Sequence, residues 1–276
     1  MKNETNQTTP LWAQAADFPW IKGPALGASV SWMVTPLLKW TNHTLNNEKM
    51  PLKNPFSGAM SYATSAIPGY AVTFALKALL AKSPEETSSQ YDLLTSFTAG
   101  GFSGLACTPF EVLAQNKQLT QNPSLQATAR QMLNTNGYRA FFRGGASMML
   151  REGLWSTVYL TAIPMATHYF EAKGMQKRQA ALLAMLSVAG TYGLFSSPLN
   201  RLRFKKAQGL TEPGANKSYL AHAQAIWNQK PEASHAQRLG FFFKASLPRA
   251  ITTTVAAGLV VKGAESYNQM ISAFKK

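Results

Sequence analysis

Six stretches of this chain carry no Asp, Glu, Lys or Arg: 23–38, 54–76, 93–110, 153–170, 179–200 and 250–261. They fall into three pairs. The first member of each pair closes around a proline (Pro36, Pro109, Pro198). The second opens near an aromatic–small/basic–small step: Phe56-Ser57-Gly58, Phe142-Arg143-Gly144 and Phe243-Lys244-Ala245. A helix that crosses ~30 Å of hydrocarbon needs about 20 mostly apolar residues. Runs 54–76 and 179–200 have that length, 93–110 and 153–170 are marginal, and 23–38 needs help from its neighbours. Run 250–261 is short, but Lys262 can snorkel and let the helix continue. Amphipathic helices of soluble bundles carry a charged outer face, and these runs carry none. The pattern therefore predicts an all-α membrane protein, with six transmembrane helices as three helix-pair repeats around a central cavity. A soluble all-α bundle is the rival reading.

Small residues recur where such helices would approach. Gly23 and Gly27 lie four apart, as do Ser96 and Gly100, and Ala189 takes the second of these positions in the third pair. That spacing lets backbones pack tightly in lipid. Pro36, Pro109 and Pro198 are expected to kink or end their helices, since proline lacks an N–H and clashes with the preceding turn.

Composition agrees with a membrane reading. Of 276 residues, 46% are hydrophobic and only 14% charged, against about 25% charged in soluble domains. The mean hydropathy of −0.12 suits a bundle lining a watery cavity with Ser, Thr and Gly. Net charge is +15, and it is distributed unevenly. The loops after the first, third and fifth runs carry +2, +4 and +7, while the termini and remaining loops total +3. One-sided Lys and Arg of this kind sets membrane orientation. Nucleic-acid binding is the competing explanation of a basic chain, but there is no zinc-ligand spacing and no aromatic–basic strand, so no nucleic acid is expected as a partner.

Enzymatic chemistry finds no foothold. The chain has no phosphate-binding loop, dinucleotide fingerprint or His-Glu-x-x-His, and His43, His168, His222 and His235 are scattered. Neither a cofactor nor a metal is expected. Cys107 is the sole cysteine, so no internal disulfide can form. The first residues, with Glu4 and no Arg, read as neither a secretory signal nor an ordinary presequence. The Asn-x-Ser/Thr triplets at Asn3, Asn6, Asn42 and Asn216 read as chance.

In motif order and spacing the chain resembles the mitochondrial carrier family over nearly its whole length. Thr108-Pro109-Phe110-Glu111 is similar to the family's proline–x–acid signature. The stretches 129–133 and 136–144 resemble its short amphipathic helix and the entry to an even helix. Ser197-Pro198-Leu199-Asn200 with 242–249 repeats the pattern, and Thr35-Pro36-Leu37-Leu38 with Phe56-Ser57-Gly58 is its weakest copy. The resemblance implies a single carrier domain over 1–276, with repeats at 19–82, 88–173 and 178–272 and short matrix-side amphipathic helices. Only 19 residues separate Pro36 from Phe56, so the matrix-side helix of the first repeat is expected to be missing. The segment 207–240 reads as a linker, a short helix around 218–228 and an inserted polar loop.

The resemblance also implies site residues. The family closes its matrix side with acid–base pairs between odd helices, two and five residues after each proline. Carried over, Leu38 meets Ala114, Glu111 meets Arg203 and Asn200 meets Thr41: an apolar pair, an ion pair and a neutral pair. Glu111 and Arg203 could instead be plain solvated charges at a loop end. On the opposite side only Glu265 among the corresponding positions is charged, which implies a low barrier between states and weak dependence on counter-exchange. Substrate-contact positions fall at Ser65-Ala66, Arg151-Glu152 and Thr252-Thr253, with Trp155 a turn beyond Arg151 for stacking or packing. Arg151 would be the fixed mid-cavity cation for a carboxylate or phosphate, unless it pairs with Glu152 or Glu111.

The expected function is alternating-access transport of a small anionic metabolite across the mitochondrial inner membrane. The eroded signatures resemble carrier-like effectors that intracellular bacteria send to host mitochondria, which favours a nucleotide (ATP/ADP). The Arg151-Glu152 pair resembles the family's amino-acid branch and favours an amino acid or carnitine. A carrier fold serving as a non-transporting interaction protein is the third alternative. Partners are then the substrate and the lipid bilayer, with anionic lipid at the matrix-side helix ends.

Overall fold

The computed structural model describes residues 19–45, 49, 54–56, 59–81, 88–119, 124–208, 210 and 217–274. The Ser57-Gly58 step, the triplets at Asn3, Asn6 and Asn216, the first eighteen residues and part of the 207–240 segment lie outside the described residues.

All regular structure among the described residues is helical. Helices α1 (Pro19–Met33) and α2 (Thr35–Leu45) form a first rod, α3 (Ala59–Leu79) a second and α4 (Ser89–Leu119) a third. After the short α5 (Leu125–Asn136), helix α6 (Gly145–Thr157) runs through a π turn (Val158–Ala162) into α7 (Ile163–Ala172), giving a fourth. The fifth joins α8 (Lys177–Ala184), a second π turn (Met185–Ala189) and α9 (Gly190–Phe195), then bends into α10 (Ser197–Ala207). Short helices α11 (Tyr219–Trp227) and α12 (His235–Phe242) precede α13 (Ser246–Phe274), the sixth rod. Each rod packs on the next: α1 on α3, α3 on α4, α4 on α6, α7 on α8, α9 on α13. Helix α13 then returns to α1 and α2, so the ring closes.

Close approach within the ring depends on glycine. A Cβ on Gly104 of α4 would sit 2.6 Å from the Met148 carbonyl of α6. One on Gly193 of α9 would collide with the Ala250 backbone and Thr253 of α13. At these points the two helix backbones touch, which no larger residue permits.

The rods have an inverted polarity. Thr35, Ser65, Thr73, Ser96, Thr108 and Thr252 are buried, while Met60, Leu94, Phe102, Leu150, Phe195 and Leu247 are exposed. Water would select the opposite arrangement. No single helix is long and apolar enough to cross a membrane alone, which departs from the helix-by-helix expectation. Only the bent pair Lys177–Phe195 and Ser197–Ala207, at 47°, passes that test among the described residues. The inward Ser, Thr and Gly residues that make the interior polar also dilute each helix's hydropathy.

The prolines behave unequally. The chain breaks at Val34 and at Ser196, each two residues before Pro36 and Pro198. Helix α4 instead runs unbroken through Pro109, so of the two expectations, a kink or an end, the end does not occur there. Proline removes one backbone donor, and the 31-residue helix absorbs that loss. Pro164 likewise cannot donate to the carbonyl four residues back, and the fourth rod widens into its π turn immediately before it.

The second connection folds as its caps dictate. Ser124 accepts from the Ala127 N–H (3.1 Å), and Gly137, at φ 69°, ends α5 by donating to the Leu133 carbonyl. In the third connection Ser218 caps α11. The polar loop expected beyond it is a further helix, α12, opened by a capping box between Ser234 and Gln237. That Ser-x-x-Gln signature was present in the sequence.

Candidate functional site

The ring encloses a cavity of about 150 Å³. Midway along the fourth and fifth rods it is bounded by aromatic side chains. Trp155 stacks on Tyr192 (centroids 5.5 Å, 29°) and tilts against Tyr159 (5.3 Å), with Val30 and Val34 alongside. At one end of the cavity Phe204 packs with Leu45 and Ala245. Gln115 Nε2 donates to the Phe204 carbonyl at 2.8 Å, tying α4 to α10 across the ring.

Charge in the cavity is organised around Glu111. One carboxylate oxygen accepts from Arg203 Nη1 at 2.7 Å and the other from Arg151 Nη2 at 2.9 Å. Arg151 also pairs with Glu152. The chain Arg203–Glu111–Arg151–Glu152 therefore links the fifth, third and fourth rods through alternating charges. All but Glu152 are brought together from separate helices. Backbone groups reinforce it, as the Tyr192 hydroxyl donates to the Arg151 carbonyl at 2.9 Å.

The expected contact positions Ser65, Ala66, Arg151, Glu152, Thr252 and Thr253 all line this one cavity, as does Trp155. So do Leu38, Thr41, Glu111, Asn200 and Arg203. Ala114 does not; it is buried on α4, while Leu38 packs against the aromatic cluster. Asn200 and Thr41 do not hydrogen-bond to each other among the described residues. Asn200 Oδ1 instead accepts from Arg203 Nη2 (3.4 Å), one turn along its own helix. Thr41 donates to the Leu37 carbonyl (2.9 Å), and its Oγ1 lies 3.5 Å from that of Thr252. A threonine inside a helix finds its own carbonyl four residues back before it finds a neighbour.

Arg151 is also not the free cation that its position suggested, since two carboxylates already hold it. Two residues in this region escaped the sequence reading. Gln115 could have been noticed as part of an uncharged polar pair, with Asn116, on the lower part of α4. Arg249 lines the cavity and lies three residues before Thr252, hence on the same helix face. It is 9% exposed, and its guanidinium sits over the Tyr192 ring, 6.0 Å from the centroid. Asn116 holds a second tether, donating to the Ala207 carbonyl (2.7 Å) and accepting from the Leu210 N–H (3.0 Å). Among the described residues no His, Cys, Asp and Glu cluster could hold a metal ion.

Lys205, Lys206, Lys217, Lys230, Arg238 and Lys244 concentrate where α10, α11, α12 and the start of α13 meet, at the Phe204 end of the cavity. This is the face that the loop charges mark as basic.

No curated protein sequence matches the chain. The family model described as mitochondrial carrier protein matches residues 85–174, which take in α4, α5 and the fourth rod and thus Glu111, Arg151 and Glu152. Members of that family are multi-pass membrane solute carriers, typically of the mitochondrial inner membrane, and are transporters, not enzymes. The matched segment, about a third of the chain, is thus similar to the mitochondrial carrier family, and the strand-free ring of helices around a charged cavity is consistent with an all-α carrier fold.

Proposed function

We propose that this chain moves a small anionic metabolite across the mitochondrial inner membrane by alternating access. In this reading the six rods span the bilayer as three pseudo-threefold repeats (19–82, 88–173 and 178–272) and the cavity at their centre takes the solute. The observation that carries it is the sign of that cavity: three arginines against two glutamates, inside a ring whose outer surface is apolar. A protein that only needed to be stable would fill this space with packed hydrophobic side chains instead of buried charge. The cavity, at about 150 Å³, is smaller than the ~300–1,000 Å³ of typical small-molecule sites, so the ring must widen to admit a solute.

Two substrate classes fit. A nucleotide such as ATP or ADP is supported by the resemblance to carrier-like effectors, and by an arginine-lined interior suited to phosphate. An amino acid or carnitine is favoured by the resemblance of the Arg151-Glu152 pair to the family's amino-acid branch, and by a cavity that carries both carboxylates and guanidiniums, as a zwitterion requires. Reconstituted vesicles decide between them. Uptake of labelled ATP that is inhibited by ADP supports the nucleotide, and inhibition only by amino acids or carnitine removes it. Absence of uptake of all these solutes removes the transport reading and leaves the interaction-protein alternative.

A further inference from the structure

Buried charge in this cavity is paired with one exception. Arg151 has Glu111 and Glu152, and Arg203 has Glu111 with Asn200 beside it. Arg249 has no carboxylate partner among the described residues. Its Nε is buried without a hydrogen bond. The side chain is not directed to solvent outside the ring, because the residue is 9% exposed and faces the cavity. Its guanidinium lies over the face of Tyr192 and hydrogen-bonds with that tyrosine's side chain, whose hydroxyl in turn donates to the Arg151 carbonyl. A cation–π contact compensates a buried guanidinium only in part, and removing a cation from water without a counter-charge is strongly unfavourable.

The chain therefore holds, on a cavity-facing side of one helix, a guanidinium with a buried, unpartnered Nε and no carboxylate paired with it among the described residues. The cavity it faces has polar walls: Ser65, Asn200 and Thr252 also line it. A planar guanidinium takes an oxyanion through two parallel N–H bonds. Resting on the transport reading above, we propose that Arg249, rather than Arg151, receives the acidic group of the transported solute, a carboxylate or a phosphate oxyanion. Arg151 serves the protein's own ion-pair chain, and one acidic group at Arg249 brings the cavity's three arginines and two glutamates to neutrality.

The test is uptake kinetics in vesicles reconstituted with the full chain, using labelled ATP and labelled glutamate as probes of the two anion chemistries. Whichever is taken up by the unaltered protein, Arg249→Gln is expected to raise its KM roughly tenfold or more, the value of a lost charge-assisted hydrogen bond, with the maximal rate far less affected. Arg249→Lys keeps the charge but loses the paired geometry, and is expected to fall between, at about threefold or more. An unchanged KM in both variants overturns the assignment while leaving transport intact. If Arg249→Gln does not reach the membrane folded, Arg249→Lys decides alone, and an unchanged KM there is the overturning result. No uptake of ATP, glutamate or labelled carnitine by the unaltered chain defeats both this assignment and the transport reading beneath it.

Discussion

Under the alternating-access reading proposed above, neutralising Glu111 is the most direct probe of how this cavity would be held closed. In Glu111→Gln the side chain keeps its shape and one acceptor oxygen but loses its charge. Arg151 retains Glu152, so the loss of charge falls on Arg203, left with neutral acceptors alone, the amide oxygen at position 111 and the 3.4 Å contact to Asn200. Breaking a fully buried ion pair by removing one partner costs about 3–5 kcal/mol. The Glu111 side chain is 22% exposed to the cavity, so water screens part of that loss and about 1–3 kcal/mol is a fair expectation. Charged against the closed arrangement alone, this shifts the closed-to-open balance by roughly 5–150-fold. The chain carries its own reporter. Cys107 is its single cysteine, is 6% exposed and lines the same cavity. In reconstituted vesicles a membrane-impermeant maleimide should modify Cys107 several-fold to a hundredfold faster in the variant than in the unaltered protein. Arg203→Gln should do the same, and the double substitution should add little to either single one, because both remove one interaction. Labelling at the original rate in Glu111→Gln, or full additivity of the two changes, would refute the assignment of closure to this pair.

Further expectations follow from other contacts. Arg151→Gln strands Glu152 in the cavity and unties the fourth rod from Glu111, so uptake should fall by at least an order of magnitude; unchanged flux counts against a role in transport. Gly104→Ala places a methyl group against the Met148 backbone and should destabilise the detergent-solubilised protein by about 1–3 kcal/mol, read as a lowered Tm. Asn116→Ala uncovers the Ala207 carbonyl and Leu210 N–H, again about 1–3 kcal/mol, with KM unaffected since Asn116 does not line the cavity. With a single shared acid closing one end, uptake into vesicles that contain no internal substrate should be measurable; its complete absence there, alongside active exchange, shows that closure does not depend on ion pairing in this chain.

Much of this arrangement was legible in the sequence because it obeys short-range rules. Charge-free runs, capping serines and the prolines at 36 and 198 each act on their own neighbours, and the helices begin and break accordingly. Pro109 shows the limit: whether a helix tolerates a proline depends on what surrounds it, and inside α4 it does. The positions that the family resemblance implied, Ser65, Arg151 and Thr252, line one cavity, since each was carried over at the same offset along its helix and helix periodicity is reliable over a few turns. Which charge meets which is a different kind of fact. Glu111 lies 40 residues from Arg151 and 92 from Arg203, and its sharing between them follows from three rods converging. Arg249 went unnoticed for the same reason in reverse, since an absent partner has no sequence signature. The π turns at Val158–Ala162 and Met185–Ala189 were also invisible, because the widening of a helix is settled by packing.

The fastening of the ring is lopsided. Carboxylate–guanidinium bonds at 2.7 and 2.9 Å bind the third, fourth and fifth rods, whereas the first meets the sixth here through two hydroxyls 3.5 Å apart. A neutral contact of that length yields well before a charged one. The molecule thus resembles a door with its hinge on one jamb and only a light catch on the other: under the transport cycle proposed above, the seam between the first and sixth rods, where Thr41 meets Thr252, is the one expected to part first, with the remaining four rods as the frame.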